Sequence, residues 1–203
     1  MSALVGVLAL QGDFAAHARV LAQVGGQARE VRTPRDLEGI DGLVIPGGES
    51  TVIAAGIERE GLAAPLRDLV KAGTPLLGTC AGLIVAGRDH LGLIDLTARR
   101  NAFGRQVHSF EVDLEIAGLA GGRLRAVFIR APWIESAGEG VELLAHVDDH
   151  PVAARQGNVT VVAFHPELSG DPRLHQQWLA AVPDRRPASQ REPVADDVLG
   201  HHA

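Results

Sequence analysis

The chain has 203 residues, 46% of them hydrophobic, enough for one sizeable buried core and too few for two generous ones, so a single domain is expected. A net charge of −6, with acidic and basic residues scattered along the chain, leaves no electrostatic footprint for nucleic acid or anionic lipid. The single cysteine excludes an intrachain disulfide and points to a reducing, cytoplasmic setting.

The apolar run Ala3 to Leu10 is too short to span a bilayer and lacks the basic leader and small-residue cleavage pattern of a secretory signal. It predicts a first strand, followed by an amphipathic helix from about Phe14 to Val24. Further short runs at Gln27 to Val31, Leu43 to Ile45 and Pro75 to Leu77 read as strands. Leu62, Leu66, Leu69 and Val70 give helical spacing across Leu62 to Ala72. Strands joined by helical crossovers imply a mostly parallel sheet covered on both faces, a three-layer α/β sandwich. The second half changes period. Phe110, Val112, Leu114 and Ile116 alternate with Glu111, Asp113 and Glu115, the mark of half-exposed strands. With strands at Leu124 to Ile129, Val141 to Val147, Val152 to Arg155 and Val159 to Phe164, an antiparallel or mixed extension of the sheet is expected, closed by a helix over about Pro172 to Ala181. From Pro183 onward Pro, Arg, Asp and His dominate, so residues 1–182 are expected to form the domain and 183–203 a disordered tail.

Three strand ends carry chemistry. Gly78-Thr79-Cys80-Ala81-Gly82 follows the apolar Pro75 to Leu77 and opens a helix, so Cys80 occupies a nucleophile elbow in which side chains at the flanking glycines would collide with strand or helix. The start of a helix also favours the thiolate. A lone cysteine is more often a buried structural residue, but the flanking glycines reverse that preference. Phe164-His165-Pro166-Glu167 closes the last predicted strand with a base and an acid two residues apart. In an extended segment both side chains would project to one side. The remaining eight histidines, among them His17 and His175, read as surface or satisfied polar residues without metal-ligand spacing. Ile45-Pro46-Gly47-Gly48-Glu49-Ser50-Thr51 is a strand end, a Gly-Gly turn and a helix start whose N–H groups suit an oxyanion; alone it would be an ordinary tight turn. In an open parallel sheet, ligands bind beyond the carboxyl ends of the strands, where these three loops converge.

The same segments resemble the family of glutaminase subunits of two-component pyridoxal 5'-phosphate synthases, within the class I triad glutamine amidotransferases. The motifs that carry the resemblance are Leu8-Ala9-Leu10-Gln11-Gly12, Pro46 to Thr51, Gly78 to Gly82, Arg100 to Gln106, Ser109 to Glu111, Phe128 to Pro132 and Phe164 to Leu168, all in family order. The resemblance covers residues 4 to about 180. It implies a flavodoxin-like sheet with Cys80 as nucleophile, His165 as general base and acid, and Glu167 orienting His165. Gly47, Gly48, Glu49, Arg105, Ile129 and Arg130 would bind L-glutamine. Both acyl steps would use the N–H groups of Gly48 and Ala81 as oxyanion hole. Gln11 and His17 would line the site or meet the partner. A synthase subunit would consume the ammonia, with no metal or organic cofactor in this chain, no nucleic acid and no membrane. A glutaminase serving another synthase, or a γ-glutamyl hydrolase with the same triad, stays open as an alternative. A non-catalytic regulatory subunit is disfavoured, because Cys80, His165 and Glu167 are all present and such groups act as a unit.

Overall fold

The computed structural model of the chain describes residues 2–100, 102–103 and 109–183. Five parallel strands form the centre: β1 (Leu4–Leu8), β2 (Gln27–Val31), β3 (Gly42–Ile45), β4 (Leu76–Thr79) and, later in the chain, β11 (Val159–Val162). Between them run α1 (Phe14–Gln23), α2 (Ser50–Arg59), α3 (Ala63–Lys71) and the short α4 (Ala81–Ala86). The second half adds β5 (Leu96–Arg99), β6 (Ser109–Leu114), β7 (Leu124–Ile129), β8 (Trp133–Ala137), β9 (Glu142–Val147) and β10 (His150–Gln156), and α5 (Arg173–Ala180) follows β11. The main sheet has the order β2-β1-β3-β4-β11-β10-β9, with β10 antiparallel to both of its neighbours, β11 and β9. β5 with β8 and β6 with β7 form two separate antiparallel pairs.

Alternation along the central strands produces the three layers. Val5, Val7, Val44 and Leu77 pack on Leu21 of α1 and Trp178 of α5. Their neighbours Leu43, Ile45 and Leu76 join Ile53 and Ile57 of α2 and Leu66 of α3 on the opposite face. Every residue of β3 and β4 is buried, and each such aliphatic side chain contributes about 1.5–3 kcal/mol by leaving water. This is the doubly covered, mostly parallel sheet with an antiparallel extension that the apolar runs predicted.

Several boundaries shift for physical reasons. β1 stops at Leu8, two residues before the end of its apolar run. β2 is an edge strand in which only Val31 is fully buried, which is why Arg29 and Glu30 are tolerated within it. The pair β5 and β8 has no counterpart among the predicted strands, since Leu96–Arg99 and Trp133–Ala137 are short and largely exposed beyond Leu96 and Ile134. Aromatic rings join the extension to the centre. Phe110 stacks on Phe128 at 4.6 Å between centroids, and Phe128 meets Phe164, just beyond β11, at 5.6 Å. The tail expected from Pro183 onward lies outside the described residues, apart from Pro183 itself. No described helix is long and apolar enough to cross a membrane.

Candidate active site

β4 and β11 lie side by side in parallel register, with Val162 opposite Thr79. The residues that follow each strand therefore emerge together: Cys80 after β4 and His165 after β11. Cys80 has φ 48° and ψ −103°, a left-handed conformation that a non-glycine residue adopts only under constraint. The constraint is visible. The Cys80 N–H donates to the Val162 carbonyl at 2.8 Å, and a Cβ on Gly82 would stand 2.0 Å from the Ile45 carbonyl oxygen. A Cβ on Gly78 would stand 2.9 Å from the Gly82 carbonyl oxygen. The glycines flanking Cys80 are thus required by backbone contacts, as the elbow reading expects.

His165 donates its backbone N–H to the Val127 carbonyl at 2.8 Å, which couples the base to β7. Its Nδ1 lies 2.7 Å from Oε1 of Glu167. The pairing does not arise as expected, because Pro166–Leu168 is a 3-10 turn rather than an extended segment. Pro166 opens the turn with its preset φ, and the turn brings the carboxylate back onto the ring. Cys80, whose Sγ points toward the Ile129 carbonyl at 4.0 Å, is also close enough to the imidazole to favour its charged form. Burial works against charge on His165, yet its hydrogen-bonding and charge interactions with Cys80 and Glu167 outweigh it and raise its pKa to about 10. Burial likewise disfavours the Glu167 carboxylate, but the hydrogen bond from His165, with His17 and His165 nearby, holds its pKa below the usual value. At neutral pH this describes a protonated imidazole between a sulfur and a carboxylate.

Cys80 and His165 open onto a cavity of about 210 Å³, below the drug-sized range and suited to a small polar molecule. Gly48, Glu49, Ala81, Ile129 and Arg130 line it, and so does Gln11. Gly47 packs against the reacting pair: a Cβ there would meet His165 Cε1 at 2.5 Å and Cys80 Cβ at 3.2 Å. Gly48 has φ 153°, and a Cβ on it would meet Gln11 Oε1 at 2.3 Å. The Gln11 side chain accepts the Glu49 N–H at 2.7 Å, pinning the Gly-Gly turn to the loop after β1. Ala81 is the first residue of α4, where N–H groups have no partner inside the helix. Arg130, like Cys80, has a positive φ, of 44°.

Arg105 lies outside the described residues. His17 corrects the expectation. It is fully buried beneath Glu167 and neither lines the cavity nor reaches the surface, because α1 turns that face onto α5 and the turn at Pro166–Leu168. Arg100 was not singled out as a site residue, yet it lines the cavity and pairs with Glu49 at 2.6 Å. Its place at the head of the Arg100 to Gln106 motif was the available signal. Pro132 and Ile84 also line the cavity, and neither residue type carries a chemical cue.

Comparison with known proteins places these features in context. The family described as the SNO glutamine amidotransferase family matches residues 7–183. The chain is 51% identical to the pyridoxal 5'-phosphate synthase subunit PdxT of Frankia alni, over 88% of this chain and 94% of that protein. It is 50% identical to the subunit of the same name from Mycobacteroides abscessus, over 90% and 98%. A crystal structure described as a glutamine amidotransferase superposes with a TM-score of 0.82 at 48% identity, covering 87% of this chain and 97% of the other.

Proposed function

The chain belongs to the SNO glutamine amidotransferase family, and from that premise we propose that it hydrolyses L-glutamine to glutamate and ammonia at Cys80 and supplies the ammonia to a separate synthase subunit that makes pyridoxal 5'-phosphate. The observation that carries the residue roles is the relay from Cys80 through His165 to Glu167 at the floor of a small polar cavity.

In this reading glutamine lies with its side-chain amide against Cys80 and its charged backbone end among Glu49, Ile129 and Arg130, with Arg105 as a further contact. The thiolate attacks the amide carbon. The oxyanion is met by the N–H groups of Gly48 and Ala81, aimed before the charge forms and so costing no reorganisation. His165, protonated beside the sulfur, gives its proton to the departing ammonia and becomes the base that activates water against the thioester. Glu167 holds the ring and stabilises its charge without exchanging the proton itself.

The relatives' printed name, a synthase subunit, supports an acceptor on another chain. Ammonia is mostly protonated near neutral pH, so hydrolysis uncoupled from an acceptor would waste glutamine. The cytoplasm is the proposed site of action, because a catalytic thiol with no disulfide partner needs reducing conditions.

The test is ammonia release from glutamine with and without the matching synthase subunit. At least about tenfold stimulation is expected, roughly 1.4 kcal/mol of barrier. If the isolated chain is already fully active, and the synthase changes neither its rate nor its sedimentation, a stand-alone glutaminase replaces the two-component reading.

A further inference from the structure

Behind Glu167, on the side away from the cavity, lies a polar cluster that the relay does not use. His17 on α1 and His175 on α5 are both fully buried. His17 Nε2 lies 3.1 Å from Thr79 Oγ1 and 3.3 Å from Glu167 Oε2, while His17 Nδ1 lies 2.9 Å from His175 Nε2. One imidazole thus touches both the residue immediately before the nucleophile and the carboxylate that orients the base. We propose that His17, fixed by His175, is a positioning residue of the glutaminase: it ties the end of β4 to Glu167 and so sets the distance and angle between Cys80 and His165. The proposal rests on the glutaminase reading above.

The hydrogen bonds decide the proton positions. An ionised carboxylate only accepts, so His17 Nε2 must carry the hydrogen that faces Glu167 Oε2 and Thr79 Oγ1. The 3.3 Å approach to Oε2 is too poorly aligned to satisfy that oxygen as a full hydrogen bond, consistent with one N–H shared between two acceptors. A neutral His17 then has a bare Nδ1, which accepts from His175, so His175 must carry its hydrogen on Nε2. That leaves His175 Nδ1 as a buried acceptor without a partner among the described residues. Burial keeps both rings neutral, lowering the pKa of His17 and bringing that of His175 to about 3. Two neutral histidines in one enforced tautomer make a rigid strut that adds no charge next to the triad. A leucine would fill the space but leave a buried carboxylate oxygen facing hydrocarbon.

The titratable groups near Glu167 are His165 and Asp171 on its own segment, His17, Asp13 and Arg19 on α1, and His175 on α5. Asp171 is held by Arg173 at 2.6 Å. Of these, only His165 and His17 reach the carboxylate oxygens.

The experiment compares His17→Leu and His17→Gln with the native chain, each assayed with the synthase subunit. The glutamine Nε2 can reach the position of the imidazole Nε2 and donate there. His17→Leu should lower kcat at least about tenfold with KM for glutamine within about twofold. It should also move the acid limb of the kcat/KM profile to higher pH, since losing a donor makes the Glu167 carboxylate easier to protonate. His17→Gln should restore most of kcat and return the limb. Native activity and an unmoved limb in His17→Leu would overturn the proposal. So would a loss of activity with the limb unmoved that His17→Gln shares, which is the mark of a packing role alone. If the leucine variant does not fold, 15N spectra of histidine-labelled native protein decide: both rings neutral with the hydrogen on Nε2 supports the strut, and a charged or Nδ1-protonated His17 removes it. The spectra do not depend on turnover, so an inactive native chain would refute the glutaminase reading while leaving the strut standing or falling by itself.

Discussion

The parallel centre and the antiparallel extension of this molecule divide the site between them. β3, β4 and β11 are almost wholly buried, and from their ends come the Gly47-Gly48 turn, Cys80 and His165. β6 alternates exposed and half-buried residues, with only Leu114 buried, and the extension contributes cavity walls: Arg100 after β5, and Ile129, Arg130 and Pro132 at the end of β7. The reacting side chains thus leave from tightly packed strands, with Gly47 close against both Cys80 and His165. Of the groups expected to recognise substrate, Glu49 follows the buried β3, while Ile129 and Arg130 sit on the extension, which can vary with less disturbance of the core. The division predicts that changes in the centre act on kcat and changes in the extension act on KM.

The largest effect tests the centre. Cys80→Ala should reduce glutamine hydrolysis on the order of a thousandfold or more with the fold intact, by analogy with deletions in other triads. More than a tenth of native activity in a folded variant would remove Cys80 as nucleophile. Gly47→Ala comes next. Its methyl group would press on His165 Cε1 and Cys80 Cβ, and displacing reacting groups by about 1 Å can cost about a hundredfold. That loss is expected in kcat. If KM alone rises, Gly47 serves binding rather than the geometry of the reacting pair.

Arg130→Ala sharpens the other half. With its guanidinium removed from the cavity, KM for glutamine should rise about tenfold, close to 1.4 kcal/mol of lost binding, with kcat within about threefold. A kcat loss as deep as that of Gly47→Ala would dissolve the distinction between the two regions.

The pH dependence of stability probes the centre without mutation. His165 has its pKa raised from 6.5 to about 10, so its contribution is complete below pH 6.5 and is lost as pH rises through about 10. His175 is lowered from 6.5 to about 3, so its contribution is present above pH 6.5 and is lost as pH falls toward 3. Glu167, held below 4.5, acts in the same direction as His175 on the acid side. The melting temperature should therefore peak near pH 6.5 and decline on both sides, and Cys80→Ala, which lacks the sulfur that favours the charged ring, should show a shallower alkaline decline. An equally steep alkaline decline in that variant would show that Cys80 does not hold the proton on His165. The smallest effect is expected from removing residues 186–203. Their composition offers little apolar surface to dock, and melting temperature and activity should change little; a large drop in either would make the segment part of the domain.

What could be read in advance follows the same division. Leu43 to Ile45 and Leu76 to Leu77 are continuous apolar runs because their strands are covered on both faces, and the glycines around Cys80 declare a turn with no room for side chains. β5 and β8 were not legible, because short exposed strands lack the alternation that marks a half-buried face. The burial and pairing of His17 and His175 were not legible for a different reason. A buried polar residue depends on partners distant in the chain, here 158 residues apart, and no local pattern reports them. Arg100 could be located by its motif, but its pairing with Glu49 across 51 residues could not.

Cys80 is the sole sulfhydryl in the chain. On the proposed chemistry, the equivalents of thiol reagent consumed by a denatured sample count intact nucleophiles directly, with no background from other positions. A preparation that consumes half an equivalent per chain has lost half its turnover capacity, and rates can be normalised to titrated sites rather than to total protein.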